Sequence, residues 1–178
     1  FQPSDAISAF KLTELMANLD GACYMRTHRP DVSFLYDSNE TFTVGGFKHL
    51  LDGEDLLIVA SGYMVHVARK AIEILEDKAG LSASLIDAYS MPLDTDEILQ
   101  VGDDCRGQIL VVEDNYLGGI ADEITAAAAA SDLGVRVKTM VVGSVPKSAK
   151  TPEEILQMVH LSADEIAAAG QQLFDEAD

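Results

Sequence analysis

The feature that most constrains this chain is the unbroken apolar run Leu56-Leu57-Ile58-Val59-Ala60. A strand with one wet face alternates apolar and polar residues, whereas a strand covered on both faces reads as continuous Leu, Ile and Val. The run therefore predicts a strand in the middle of a sheet, with helices above and below it. The residues that follow keep the same rhythm. Gly62 opens a helix that reaches about Lys78 and stops at Gly80, and Ser82 to Ala88 reads as a second strand. Thr95 to Val101 is a short helix and Gln108 to Val112 a third strand. Gly118-Gly119 leads into a helix that ends near Ser131, and Val135 to Val142 is a fourth strand. Pro152 suits the first turn of a helix and Ser162 caps the last one. Strands alternating with helices predict an α/β fold: a doubly wound, mostly parallel sheet flanked by helices.

The front of the chain reads differently. Ser4 can cap a helix whose apolar positions Ala6, Ile7, Phe10, Leu15 and Leu19 recur at helical spacing. Asn18 to Gly21 stop it, and Ala22 to Met25 reads as a strand. Residues 31 to 52 are irregular, with a turn at Gly45-Gly46, and are expected to link two units. The sheet is thus expected to follow a helix–strand remnant of another α/β domain. The chain opens on Phe1-Gln2-Pro3 without an initiator Met, which suggests a fragment or processed piece.

Charge narrows the function. A net charge of −18 over 178 residues argues against nucleic acid, whose phosphates need a basic face. No cluster of Lys and Arg is present to hold an anionic membrane, and no apolar run is long enough to span one. Cys23 and Cys105 lie far apart beside apolar strand-like runs, so both are expected to be buried reduced thiols, which suits a cytoplasmic protein. The histidines, His28, His49, His66 and His160, have no ligand spacing and no Cys partner. Neither standard phosphate loop occurs. At the strand–helix junction Glu113-Asp114-Asn115-Tyr116-Leu117-Gly118-Gly119, acids crowd the helix start, where they would cap donors and repel phosphate. Val145 to Lys150 is a basic turn that reads as a plain loop before an anion site.

Two cations remain. Ala22 to Pro30 is a run that delivers Arg26 and Arg29 to its end, as a strand presents cations at the rim of a sheet. Both can pair with nearby carboxylates such as Asp5 or Asp31. Alternatively, a guanidinium can grip a phosphate bidentately, which makes a sugar phosphate the natural guest.

Several segments, in order through nearly the whole chain, resemble the C-terminal portion of transketolases. They are Pro3-Ser4-Asp5-Ala6, Met25-Arg26-Thr27-His28-Arg29-Pro30, Val44-Gly45-Gly46 and Ile58-Val59-Ala60-Ser61-Gly62. Val111-Val112-Glu113-Asp114-Asn115-Tyr116 with Gly118-Gly119-Ile120, and Val145-Pro146-Lys147-Ser148 with Lys150, complete the set. The resemblance implies an enzyme that binds thiamine diphosphate and a divalent metal such as Mg between two subunits and moves a two-carbon ketol unit between sugar phosphates. It implies that residues 1–47 are the end of the pyrimidine-binding domain and residues 48–178 the C-terminal domain. Arg26 is implied to hold the sugar-phosphate group, whereas Arg29 carries no implied ligand and keeps the salt-bridge reading. The residues that bind the cofactor and metal and those that catalyse lie upstream in the family. The chain alone is therefore expected to be inactive, with the N-terminal portion of the enzyme and a second copy as partners. Two other readings stand beside this one. The chain could belong to a different thiamine-diphosphate enzyme, a 2-oxo acid dehydrogenase β-subunit or deoxyxylulose-phosphate synthase, or it could be a non-catalytic oligomerisation module.

Overall fold

The computed structural model describes residues 1–177. Its elements in chain order are α1 (Ala6–Met16), β1 (Lys48–Leu51), β2 (Leu56–Ala60), α2 (Tyr63–Ala79), β3 (Ala83–Asp87) and α3 (Thr95–Asp104). They continue with β4 (Gln108–Val112), α4 (Ile120–Ala130), β5 (Arg136–Met140), α5 (Pro152–Met158) and α6 (Ala163–Asp175). The five strands form one sheet in the order β1-β3-β2-β4-β5. The pairs β2–β3, β2–β4 and β4–β5 are parallel, and only the edge strand β1 runs antiparallel, against β3. This is the expected mostly parallel α/β sheet.

The apolar run behaves as its composition demands. All five residues of β2 are buried. Leu56, Ile58 and Ala60 face one core, with Val65, Ala68 and Leu75 of α2 and Ile166 and Leu173 of α6. Leu57 and Val59 face a second core, with Ile98 and Leu99 of α3 and Ile120 and Ile124 of α4. The helices are bounded as local chemistry directs. Gly80 ends α2 in the left-handed region at φ 67, Pro152 occupies the first turn of α5, and a Ser162–Glu165 capping box starts α6. Among the described residues no helix is long and apolar enough to cross a membrane.

A third core joins the front of the chain to the sheet. Leu12 of α1 is fully buried with Tyr36, Phe42 and Tyr89, the last just beyond the end of β3. The rings stack edge to face, Tyr36 on Phe42 at 5.1 Å and Phe42 on Tyr89 at 4.9 Å between centroids.

Several expectations for this region fail. Ala22 to Met25 is not a strand. Only Phe1 runs beside it, bonding Tyr24 O at 2.7 Å and Arg26 N at 2.9 Å, and two bonds do not make a ladder. The N-cap of α1 is Asp5 rather than Ser4, because the Asp5 carboxylate accepts from Ser8 N at 2.7 Å. The stretch from 31 to 52 is not irregular throughout: it ends in β1, an edge strand whose register slips between His49 and Leu51. Cys23 is exposed, while Cys105 is buried, and both thiols are free.

Candidate functional site

Parallel sheets of this kind open a crevice where neighbouring strands lead to helices on opposite faces. After β2 the chain turns to α2 on one face, and after β4 it turns to α4 on the other. The two strands are neighbours, so their carboxyl ends diverge at this point. The residues there are Ser61-Gly62 and Glu113-Asp114.

Glu113 and Asp114 face opposite tasks. The Glu113 carboxylate turns inward and accepts from Ile120 N at 3.1 Å and Ala121 N at 3.4 Å, so it caps the start of α4. Burial pushes its carboxyl above the usual range, although these two backbone donors and the nearby Arg26 charge work against that. Gly119 has no side chain because a Cβ there would collide with this carboxylate. Glu113 therefore caps donors, as its position suggests.

Asp114 turns outward and gathers the front of the chain. Arg26 donates from Nη2 to its Oδ1, as a close ion pair, and from Nη1 to its main-chain oxygen at 3.1 Å. Gln2 donates from Nε2 to the same Oδ1 at 3.2 Å. Gln2 also lies against Gly62, where an added Cβ would meet its side chain. The crevice is thus lined on one side by residues 88 and 112 positions away in sequence. A carboxylate does hold Arg26, but it is not Asp5 or Asp31. Asp5 accepts instead from Leu35 N at 2.8 Å and Tyr36 N at 3.1 Å.

Arg26 is about one-third exposed, at 32% of its side chain, and borders a cavity of about 540 Å³ together with Tyr24, Tyr89, Met91 and Gly118. Of the five N–H donors on a guanidinium, Asp114 engages two, which leaves the remainder for an anion. Arg29 is exposed and pairs with no carboxylate among the described residues, so its salt-bridge reading fails. It lines a separate groove of about 360 Å³ with Tyr63, Tyr116 and Ile155. The rings of His28 and His66 approach to 6.5 Å. His66 spends its Nε2 on Ser4 O at 2.6 Å, and burial, ahead of the opposing pull of that bond, lowers its pKa.

Sequence reasoning did not find the role of Asp114, because an acid near a helix start already has a plain explanation as a cap. It also missed Asp87, which closes β3, is fully buried and accepts from the Tyr36 hydroxyl at 2.6 Å. A charged residue ending an otherwise apolar run was the available signal.

Comparison with known proteins bears on the family and the fold. Residues 45–166 match the family model described as transketolase, C-terminal domain. Human transketolase is 36% identical over 180 residues, covering 99% of this chain and 29% of that protein. Mouse transketolase is 37% identical over 172 residues, covering 95% of this chain and 27% of that protein. The chain thus spans less than a third of these relatives' length. A solved structure described as a split gene transketolase, inactive beta4 tetramer, superposes with a TM-score of 0.88 at 26% identity, over 99% of this chain and 57% of that one. With the family match spanning both helical layers of the sheet, the chain belongs to the transketolase family and carries its C-terminal portion.

Proposed function

We propose that this chain works as part of a transketolase that moves a two-carbon ketol unit between sugar phosphates, and that Arg26 holds the substrate's phosphate. The observation that carries the reading is the position of Arg26: a cation half-sunk at the diverging ends of β2 and β4, with donors to spare, beside a cavity. An otherwise acidic chain of net charge −18 offers few such places to an anion. Binding a phosphate remote from the reacting carbonyl orients the sugar and contributes binding energy to the chemical step.

In this reading residues 1–47 are the end of the pyrimidine-binding domain and residues 48–178 the C-terminal domain. The residues of this chain do not fit thiamine diphosphate and its metal. The donors at the start of α4 are taken by Glu113, and among the described residues no three His, Cys, Asp or Glu side chains converge as ligands. We therefore assign the cofactor and Mg to the N-terminal portion of the enzyme and derive no step through them. The split-gene relative, described as an inactive tetramer of its beta chains, supports self-association without activity for the chain alone. The free thiols of Cys23 and Cys105 are in keeping with a cytoplasmic setting.

The test is a ketol-transfer assay with thiamine diphosphate and Mg. It compares the chain alone with the chain mixed with a matching N-terminal polypeptide. Activity is expected only in the mixture. There, Arg26→Ala should raise KM for a ketose phosphate about tenfold or more, while leaving KM for an unphosphorylated ketose nearly unchanged. Equal effects on both donors would refute the role.

A further inference from the structure

Arg26 lies on a segment without secondary structure, so its backbone alone does not aim its side chain. One main-chain bond, Arg26 N to Phe1 O at 2.9 Å, ties it to another irregular stretch. The rigid contact is elsewhere. Asp114 lies two residues beyond β4, a strand buried along its whole length. It meets the guanidinium at two points, through its carboxylate and its main-chain oxygen. The same carboxylate oxygen also takes Gln2, which fixes the other strip of the crevice wall.

Resting on the phosphate-binding reading above, we propose that Asp114 is the positioning residue for Arg26, holding its guanidinium so that the free N–H edge faces the cavity. An unrestrained arginine loses considerable rotamer freedom when it grips a phosphate, and a preset one loses less. Asp114 also acts against this gain, because its negative charge repels the anion. The two effects separate by substitution. Asp114→Asn keeps an acceptor oxygen and removes the charge, whereas Asp114→Ala removes both.

The experiment titrates inorganic phosphate into the chain and its variants, following the Arg26 Nε–H resonance by NMR and affinity by calorimetry. Positioning predicts that Asp114→Asn binds phosphate about tenfold more tightly than Asp114→Ala, with a narrower spread of Arg26 side-chain motion before phosphate is added. Equal affinities for the two variants, with Arg26→Ala abolishing binding, would overturn the positioning role and leave the phosphate site standing. Phosphate affinity unchanged by Arg26→Ala would overturn the phosphate reading itself, and the positioning role with it.

Discussion

The Tyr36 hydroxyl donates to Oδ2 of Asp87 at 2.6 Å, joining the loop after α1 to the carboxyl end of β3 inside the protein. Asp87 is fully buried, and its other oxygen, Oδ1, has no bond of its own. The Ser4 hydroxyl lies near enough to favour the ionised form, yet it too completes no hydrogen bond. The charges around Asp87 do not favour ionisation. Asp5 adds a like charge from the start of α1, and Lys48, opposite on β1, spends its amine on Glu40 at 2.7 Å. Burial dominates and pushes the Asp87 carboxyl up to about 7, while the Tyr36 phenol is driven far above its ordinary value.

That displacement sets a pH dependence. The folded state holds a proton on Asp87 that the unfolded chain releases near the ordinary value of 3.8. Its contribution to stability is therefore complete below about pH 4 and is lost as pH rises through about 7, each unit being worth about 1.4 kcal/mol. The difference in unfolding free energy between the wild type and Asp87→Asn, measured in urea from pH 4 to 8, should slope across that window. A flat difference would show that Asp87 is ionised in the fold.

Gly119→Ala places a methyl group on the carboxylate that caps α4. We expect a loss of about 1–3 kcal/mol, of the size typical for overpacking a filled site. Denaturant curves check this. The loss should shrink when Glu113 is also replaced by Ala, since the collision and the cap concern the same group.

Phe42 stacks on both Tyr36 and Tyr89 where the front of the chain meets the sheet. Phe42→Ala should cost about 3–5 kcal/mol in local stability. In native-state hydrogen exchange, the amides of α1 should lose protection while those of β2 keep theirs. A uniform loss across both would mean that residues 1–47 and the sheet unfold as one unit.

How far these relationships were readable depends on the kind of signal behind them. Leu56 to Ala60 is apolar at every position, and only a strand walled on both sides accepts that, so the sheet and its helical layers follow from composition and spacing. Lys48 to Leu51 is four residues long, half exposed and out of register at one point, and carries no such pattern. Ala22 to Met25 has strand-like side chains but finds only Phe1 beside it, and pairing is a tertiary fact. Arg26 was legible as a cation at a rim. Its partner was not, because Asp114 reaches it across a fold rather than along a chain.

One further consequence comes from β2. Alternate side chains of this strand serve the α2–α6 layer and the α3–α4 layer, so each layer supplies the roof under which the other's floor stays dry. Removing either layer would wet half of a strand with no polar residue to meet the water. The two layers are therefore expected to melt together, with the strand acting as a party wall through which damage on one side is felt on the other.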